Sequence, residues 1–372
     1  MSSHGLRIAF FGSSLVSAWW NGAAMYYRGI LRALHARGHR VTFYEPDLPG
    51  SQGHRDLPVA PDWARVVVYS VEGTDGLERC LEEARSADVV VKASGVGVFD
   101  ELLEARVLEL QSGHTQVVFW DLDAPVTLER VTRNPEDPFR ALIPRYDRIL
   151  TQGGGDPVVL AYRDLGARDC IPVYSAVDPD VHHPVLPDVR FDCDMAFLDE
   201  RLPDLERRVE SFFLRAADLL PDKQFLLGGD GWSGRQRPSN IRYVGHLAPG
   251  ERNVVRSTAR TVLDVSRDGM ARFGFSPAPR LFEAASAGAC LITDAWEGIE
   301  LFLEPGRECL VAQDGLEVAE AVLCLTDDGV RELGAAARRR VLAEHTYAHR
   351  AVQVEQALGY TSRPGSLREF VA

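Results

Sequence analysis

Short apolar runs and amphipathic stretches alternate along the whole chain. Arg7–Phe11 is an apolar run that ends at a glycine, and residues 22–37 then space their apolar side chains as one face of a helix does. Gly38 follows as a helix-stopping glycine, and Arg40–Tyr44 is a second apolar run. The opening of the chain is therefore predicted to be strand, glycine loop, helix and strand, which is a βαβ unit.

The same alternation continues and then begins a second time. The further strands predicted in the first half are 65–70, 88–93, 116–121, 148–151 and 171–174. The strands predicted in the second half are 194–198, 224–227, 241–244, 261–265, 289–293 and 309–312. The further helices predicted are 76–85, 99–110, 205–220, 276–287, 316–325 and 328–344. Runs that are apolar on both faces are typical of buried parallel strands, so the pattern predicts an α/β fold with two doubly wound halves.

A turn-rich segment separates the two halves. Residues 175–184 read Ser-Ala-Val-Asp-Pro-Asp-Val-His-His-Pro, and Pro187 follows shortly. We place the domain boundary there, with a first domain at 1–184 and a second at 185–345. No sequence repeat of 20–50 residues is visible, so the two halves repeat in architecture only.

Composition narrows the classes of function. The 372 residues are 45% hydrophobic and 26% charged, as in ordinary soluble proteins. The formal net charge of −13 argues against a nucleic-acid binder or a polybasic membrane-surface protein. The six cysteines form no CxxC pair, which favours reduced thiols in a cytoplasm over a zinc site or disulfide framework. No apolar run reaches the ~18–20 residues of a membrane span, and we expect no integral membrane segment.

Lysine occurs only at Lys92 and Lys223, so an anionic ligand would be bound mainly by arginine side chains and backbone amides. Parallel sheets bind ligands beyond the carboxyl ends of their strands, where glycine-rich turns and helix N-termini admit anions. Gly12, the turn Gly228–Gly231 (with Gly229) and a helix predicted to begin with Ser276 as N-cap are the candidates. None of these turns carries the GxGxxG fingerprint or a P-loop motif.

The segment from 272 to 294 holds the most informative charges. Arg280 is predicted in the early turns of a helix, with Glu283 three residues later on the same side. The two side chains could form an i,i+3 pair on a solvated face. Alternatively, the helix N-terminus and Arg280 or Arg272 hold a diphosphate, while Glu283 accepts hydrogen bonds from ribose hydroxyls. Sequence physics alone leaves both interpretations open.

Several separated segments resemble one known family. They are residues 20–24 (WNGAA) with 31–41 (LRALHARGHRV), 171–179 (IPVYSAVDP), 280–294 (RLFEAASAGACLITD) with 300–308 (ELFLEPGRE), and 339–350 (RRVLAEHTYAHR). In this order they resemble GT-B glycosyltransferases of the group 1 (family 4) type, and more closely its CgeB-like (spore maturation protein) branch. The resemblance spans residues 6–355. It implies two Rossmann-like domains facing across a cleft, and residues 346–372 as a C-terminal helix and tail that cross back to the first domain.

The resemblance also implies roles for individual residues. Glu283 matches the family's ribose-binding glutamate and Arg201 its diphosphate-binding arginine. Gly245 and His246 lie where a loop approaches the base, and Gly12 opens the loop that faces the donor's phosphates. The sequence departs from the family pattern where a second glutamate would stand, because residue 275 is phenylalanine. It also lacks the lysine that often follows the diphosphate arginine, for which Arg207 or Arg208 could substitute.

Asp121 and Asp123 form a DxD sequence at the end of a predicted strand. Because they lie in the first half, we interpret them as an acceptor-side or general-base pair or as turn residues, and not as metal ligands. The histidine pairs His182/His183 and His345/His349 are also not expected to bind a metal, the first pair being interpreted as exposed. Lys92 is interpreted as cleft-lining or as a buried stem with its ammonium group in water.

The function implied by the resemblance is transfer of a sugar from a nucleotide-diphosphate sugar, with a UDP-sugar favoured, to an unidentified acceptor hydroxyl. No metal and no cofactor are expected. The resemblance implies retention of stereochemistry, which would need no enzymatic nucleophile, whereas inversion would need a base such as Asp121 or Asp123. Two alternatives stay open: a non-catalytic sugar-nucleotide sensor or assembly protein, and a sugar-nucleotide epimerase. The acceptor and the oligomeric state are not predicted.

Overall fold

The apolar runs form strands in the computed structural model of the chain, which describes residues 5–18, 23–48, 55–57 and 59–360. The loop residues 20–22 of the first resembling segment and the tail 361–372 lie outside the described residues. The strands of the first half are β1 (Arg7–Phe11), β2 (Arg40–Pro46), β3 (Arg65–Tyr69), β4 (Val89–Ala93), β5 (Gln116–Asp121), β6 (Arg148–Thr151) and β7 (Cys170–Pro172). The helices of this half are α1 (Ala23–Ala36), α2 (Asp75–Ala84), α3 (Asp100–Arg106), α4 (Ala124–Arg133), α5 (Pro138–Leu142) and α6 (Gly155–Asp164).

The second half repeats the architecture. Its strands are β8 (Met195–Leu198), β9 (Phe225–Gly228), β10 (Ile241–Gly245), β11 (Thr261–Asp264), β12 (Leu291–Asp294) and β13 (Leu310–Ala312). Its helices are α7 (Pro203–Val209), which runs through a π-helical turn into α8 (Arg215–Leu219), α9 (Pro249–Thr258), α10 (Asp268–Phe273), α11 (Pro279–Ser286), α12 (Gly315–Cys324) and α13 (Asp327–Glu344). A last helix, α14 (Tyr347–Ala357), follows.

Both sheets are parallel throughout and both reverse their strand order at a central point. The first sheet has the order β3-β2-β1-β4-β5-β6-β7 and the second β10-β9-β8-β11-β12-β13. Ala9 of β1 pairs with Thr42 on one side and Val90 on the other. Ala196 of β8 likewise lies between β9 and β11. Such reversals open a crevice at the carboxyl ends of the strands, which is where parallel sheets bind ligands. The α/β, doubly wound fold predicted from the pattern is confirmed.

The carboxyl-edge loops of the two sheets meet each other. The N–H of Gly154, in the loop after β6, donates to the carbonyl oxygen of Phe275 in the second half at 2.8 Å.

Each sheet has an apolar cluster on both of its faces. Helix α14 belongs to the first of these halves, since Ala351 and Val354 pack in one cluster with Ile8 and Phe10. Within the described residues, no helix combines the length and the apolarity that crossing a bilayer takes.

The chain passes between the halves twice, and the two passages touch. The Val177 N–H donates to the His345 carbonyl at 3.0 Å, and the Tyr347 N–H donates to the Val177 carbonyl at 3.1 Å. Arg350 is buried beneath this crossing and donates to the carbonyl oxygens of Tyr174 and Ser175 at 3.1–3.4 Å. The crossing is therefore held by backbone bonds and by one buried guanidinium group.

One predicted helix start is wrong. We expected Ser276 as the N-cap, but α11 begins at Pro279 with Ala278 as its N-cap. Pro277 and Pro279 force the residue before each of them toward extended backbone, and Ala278 has φ −66° and ψ 145°. The segment from 276 to 278 is therefore an extended approach to a shorter helix.

Glu355 ties α14 to the first half. Its carboxylate pairs with Arg37 at 2.6 Å and with Nε2 of the buried His39 at 2.8 Å. Burial raises the pKa of Glu355, but the hydrogen bonds and charges of Arg37 and His39 outweigh it, so the pKa lies below its usual value. We expect Glu355→Gln to lower the free energy of unfolding by about 1–3 kcal/mol at pH 7.

Urea denaturation across pH checks this expectation. A depressed pKa in the folded state gives stability above the unfolded pKa, and that stability is lost as the pH falls through the folded value. The difference in the free energy of unfolding between wild type and Glu355→Gln should therefore become smaller as the pH falls. Glu320→Gln, at an exposed position, is the control and should change little. A gap that stays constant down to about pH 3 would contradict the assignment.

Candidate active site

The carboxyl ends of the central strands in the second half hold a buried charge network. Arg280, from the first turn of α11, pairs with Asp264 at 2.5 Å and with Asp199 at 2.8 Å. Its guanidinium also donates to the carbonyl of Val265 at 2.5 Å. Burial raises the pKa of Asp264 to about 6, with Arg280 opposing that rise and Asp294 adding to it. Arg280 therefore joins the ends of β8 and β11.

A second arginine completes this network at β12. Arg208 of α7 donates to Asp294, which also accepts from the Ser266 N–H at 2.9 Å. Asp268 lies 3.8 Å from the same guanidinium. Because Arg208 and Arg280 both have buried carboxylate partners, a diphosphate would have to compete with those carboxylates for their charge.

The approach to α11 offers few backbone donors. Pro277 and Pro279 have no N–H, and the N–H of Phe275 is taken by the Glu297 carbonyl at 2.6 Å. Ser276 is buried against the first half, since a Cβ built on Gly153 would lie 2.9 Å from its hydroxyl oxygen. Ser276 therefore lies where the two halves contact each other. The backbone around it offers fewer free N–H groups than the sequence pattern predicted.

Phe275 occupies the position where the resembling family has its second glutamate. Its φ is 48°, an uncommon conformation for a side chain of this size. Its carbonyl accepts from Gly154, and a Cβ built on Gly155 or Gly298 would lie within 2.5 Å of its ring. The Phe275 side chain therefore packs between the two halves. It has no polar side-chain atom that could bind a sugar.

Glu283 lies on α11 and faces α9 and the linker. Its Oε2 pairs with Arg256 at 2.5 Å, and its Oε1 lies 3.9 Å from Nε2 of His182. The i,i+3 pair with Arg280, one of the two interpretations left open by the sequence, does not form, because the two side chains bind different partners. Burial raises the pKa of Glu283, but the nearby charges of Arg256 and His182 outweigh it and hold the pKa below its usual value. The carboxylate is therefore ionised at neutral pH.

His182 is the neighbour that the sequence interpretation placed wrongly. It was expected to be exposed with His183, but only His183 is exposed and His182 is buried beside Glu283. Burial lowers the pKa of His182 below its usual value, so its imidazole is neutral at pH 7. Arg256 also had no predicted role, because its helix α9 was not among the predicted helices and arginine is usually at the surface.

The loops after β8, β9 and β10 join four of the candidate residues. The Arg201 N–H donates to the Asp230 carbonyl at 2.9 Å, and the Gly229 N–H donates to the Gly245 carbonyl at 2.8 Å. His246 Nδ1 lies 2.9 Å from the Asp230 carboxylate, and both side chains are about half exposed. The Arg201 side chain pairs with Glu206 at 2.7 Å. The structure thus gathers Arg201, Gly229, Gly245 and His246 at one edge of the second sheet.

Arg272 and Asp123 share a cavity of about 120 Å³ between the two halves. Within the part of the chain that the structure describes, no carboxylate lies within 4.0 Å of the Arg272 guanidinium, which stacks 5.3 Å from the Phe273 ring. Arg267 lines the same cavity and pairs with Asp204 at 2.6 Å. Arg272 is therefore a cation with its charge available to a ligand between the halves.

The two aspartates of the DxD sequence have different surroundings. Asp121 is fully buried and accepts hydrogen bonds from Tyr162 at 2.5 Å, Thr127 at 3.0 Å and the Asp123 N–H at 3.2 Å. Asp123 lines the cavity between the halves, and burial raises its pKa while Arg267 opposes the rise. Of the two carboxylates, only that of Asp123 could reach an acceptor hydroxyl.

Gly12 lies at the carboxyl end of β1. A Cβ built on it would lie 2.5 Å from the Phe43 ring, so glycine is needed there for packing. The following loop is held by the buried Glu45, which accepts from the Leu15 N–H at 2.6 Å. Gly12 therefore shapes the loop at the switch point of the first sheet.

Three further candidates are structural. Lys92 is buried, not cleft-lining, and pairs with Asp100 at 2.5 Å. His345 packs against Phe302, where burial lowers its pKa to about 3. His349 hydrogen-bonds to Thr346 at 2.7 Å. Within residues 5–18, 23–48, 55–57 and 59–360, no three His, Cys, Asp or Glu side chains cluster as a metal site would require.

Comparison with known proteins bears on this geometry. Residues 207–356 match a family model described as "Glycosyl transferase-like", and this segment contains Arg256, Arg280 and Glu283. The sequence search found no match among curated proteins.

Solved structures resemble the chain over almost its whole length. HepE of Anabaena bound to UDP has a TM-score of 0.71 at 13% identity and covers 95% of this chain and 100% of its own. Sucrose-phosphate synthase of Thermosynechococcus elongatus has a TM-score of 0.64 at 17% identity over 95% and 98%. The T4 phage protein BGT in complex with its UDP-glucose substrate has a TM-score of 0.58 at 10% identity over 95% and 99%. The chain therefore shares its fold with these structures, which is the GT-B fold, and its segment 207–356 matches the glycosyl transferase-like family model.

Proposed function

We propose that the chain is a glycosyltransferase that moves a sugar from a nucleotide-diphosphate sugar to an acceptor hydroxyl. The observation that carries the proposal is the ionised Glu283, held by Arg256 inside the glycosyl transferase-like segment of a GT-B fold. A carboxylate held in this way can accept hydrogen bonds from ribose hydroxyls. The run RLFE at 280–283 supports a finer assignment to the CgeB-like branch.

A uridine nucleotide is the proposed donor. HepE was solved with UDP and with UDP-glucose, and BGT with UDP-glucose as its substrate. The edge of the second sheet that carries Gly245 and His246 is the proposed place of the base. A cytoplasmic setting is proposed with it, since all six cysteines are free thiols.

In the proposed reaction, the bond between the anomeric carbon and a phosphate oxygen breaks and the diphosphate leaves with the electron pair. The acceptor oxygen forms the new bond to the anomeric carbon, and its proton passes to an oxygen of the departing diphosphate. Arg272 is the proposed cation for the charge that develops on the diphosphate, and Arg201 is proposed to add to it in competition with its partner Glu206. We propose no metal or cofactor for that role. We propose retention of stereochemistry; if the reaction inverts, Asp123 is the candidate base and Asp121 is not.

The first test is a thermal-shift screen of the four ribonucleoside diphosphates. A ligand at about 100 times its Kd adds roughly 2.7 kcal/mol to stability, which raises the melting temperature measurably. We expect UDP to stabilise the wild type and to lose that effect in Glu283→Gln. The exposed Glu332→Gln is the control and should respond as the wild type does. A folded wild type that responds to none of the four would contradict the proposal.

One observation favours a second candidate, a non-catalytic protein that binds a sugar nucleotide. Phe275 stands where a glutamate would contact the donor sugar, and its carbonyl is used in the contact with Gly154. The two functions differ in turnover. Release of UDP from a UDP-sugar in the presence of an acceptor panel supports the transferase, whereas nucleotide binding without any release supports the second candidate.

A further inference from the structure

Phe275 has a strained backbone and is hydrogen-bonded to both halves. A φ of 48° costs free energy in a residue with a Cβ and an aromatic ring, and such strain persists only where the surrounding structure enforces it. The Phe275 N–H donates to the Glu297 carbonyl at 2.6 Å within the second half. The Phe275 carbonyl accepts from the Gly154 N–H of the first half at 2.8 Å. The backbone of this one residue therefore joins the two halves.

The side chain of Phe275 lies against glycines from both halves. A Cβ built on Gly155 of the first half would lie 2.5 Å from the ring, and a Cβ built on Gly298 of the second half would lie closer still. Gly153 repeats the pattern, since a Cβ built on it would lie 2.9 Å from the Ser276 hydroxyl oxygen. These positions are therefore glycine because the two halves approach each other closely there.

The same contact completes a helix of the first half. Gly154 is the N-cap of α6, and the N–H groups at the start of a helix have no partner within that helix. The acceptor for the Gly154 N–H comes instead from Phe275, in the second half. Exchange of this amide hydrogen with water therefore reports whether the two halves are in contact.

The contact also determines what lies opposite Asp123. Helix α10 carries Arg272 and ends at Phe273, two residues before Phe275, and it packs against α4. Asp123 is the N-cap of α4, and it lines the cavity between the halves together with Arg272. Holding Phe275 against the first half therefore holds Arg272 across the cavity from Asp123.

We propose that Phe275 is a positioning residue that keeps the two halves in contact before any ligand binds, and so holds Arg272 opposite Asp123. We call this contact the Phe275 latch, formed by Phe275 with Gly153–Gly155 and Gly298. The latch itself is independent of the proposed function, whereas its effect on nucleotide binding through Arg272 rests on that function. A glutamate at position 275 would place a carboxylate between the glycine backbones, where burial of its charge is unfavourable.

The latch is tested by hydrogen exchange at single-amide resolution on the full chain without added nucleotide. Phe275→Gly is the test variant, because glycine adopts a φ of 48° without strain and the substitution removes only the side chain. We expect the Gly154 amide to exchange at least about tenfold faster in this variant than in the wild type. The Ile149 amide of β6, which donates to the Asp169 carbonyl within the first half, should keep its wild-type rate.

Phe99→Gly is the matched control. Phe99 also has a positive φ, 57°, but it packs against an apolar cluster of the first half. Removing its ring should leave Gly154 exchange at the wild-type rate. Gly155→Ala should also speed Gly154 exchange, because its methyl group would overlap the Phe275 ring. Adding Gly155→Ala to Phe275→Gly should give little further increase, since that overlap is then absent.

The effect on the proposed donor site is measured by isothermal titration calorimetry with UDP. We expect Phe275→Gly to raise the Kd for UDP at least about threefold, because Arg272 is then opposite the first half in only a fraction of the molecules. Phe99→Gly should bind UDP as the wild type does.

The outcomes separate the latch from the proposed function. A Gly154 amide that exchanges in the wild type as fast as in an unstructured peptide would overturn the latch, and this holds even if Phe275→Gly fails to fold. Equal Gly154 exchange in the wild type and Phe275→Gly would overturn it as well. Faster exchange in Phe275→Gly with an unchanged Kd would overturn the positioning of Arg272 alone. If UDP does not bind the folded wild type, the proposed function fails, and the exchange rates still decide on the latch.

Discussion

Replacing Arg280 with alanine is expected to lower the free energy of unfolding by about 3–5 kcal/mol near pH 8, because two carboxylates would lose their buried cation. Arg280 joins Asp199 and Asp264 at the ends of β8 and β11, and Asp264 is almost fully buried. Arg331→Ala is the control, since its pair with Asp328 is exposed and should be worth less than about 1 kcal/mol.

The loss should depend on pH. The pKa of Asp264 is raised to about 6, so the folded protein takes up a proton there as the pH falls through that value. Protonated Asp264 no longer needs a cation, and the destabilisation in Arg280→Ala should become smaller at about pH 5 than at pH 8. Urea denaturation at pH 5 and at pH 8 measures the destabilisation at each pH. A loss below about 1 kcal/mol at pH 8 would mean that the network is not what holds these strand ends together.

Gly229→Ala should destabilise the chain by about 3 kcal/mol or more, whereas Gly245→Ala should cost about 1–2 kcal/mol. Both glycines have positive φ, 127° and 72°. A Cβ on Gly229 would lie 2.0 Å from the backbone oxygen of Asp199, but a Cβ on Gly245 would meet nothing within 4 Å. Comparing the two variants therefore separates the cost of a backbone collision from the cost of a positive φ alone.

Chemical denaturation of both variants gives the comparison, and a nucleotide titration shows whether the loop geometry survives. We expect Gly245→Ala to fold and to keep measurable nucleotide binding. Equal losses in the two variants would indicate that the loops after β8 and β9 separate easily, against the contact that the structure shows.

The strands could be predicted because each one is a short, largely apolar run, and the central strands are buried on both faces. This holds even for β4, where Lys92 interrupts the apolar residues and is neutralised by Asp100. The reversal of strand order at β1 and β8 needed no special motif, since it follows from two doubly wound halves. The start of α11 could not be placed by the same reasoning, because the second proline after Ser276 overrides the N-cap preference of serine.

The candidate site was less predictable, because charge partners come from distant parts of the chain. Nothing around Arg280 in the sequence shows that Asp199 and Asp264 surround it, or that Tyr162 and Thr127 satisfy Asp121. The burial of His182 depends on the path of the linker across α9 and α11. Of the candidate residues, His182 is the one whose predicted exposure differs most from the exposure in the structure. An arginine beside apolar residues, as Arg280 is beside Leu281 and Phe282, was an available signal, and it is a weak one.

The position of α14 has a consequence for synthesis on the ribosome. Its Ala351 and Val354 complete the cluster around Ile8 and Phe10, although more than 300 residues separate the two ends of that core in the sequence. The first half therefore emerges from the ribosome with an uncovered apolar face that stays exposed until α14 has been synthesised. Nascent chains of this protein should bind holdase chaperones until α14 has emerged and be released after it, a pattern that a domain formed from one continuous segment would not give.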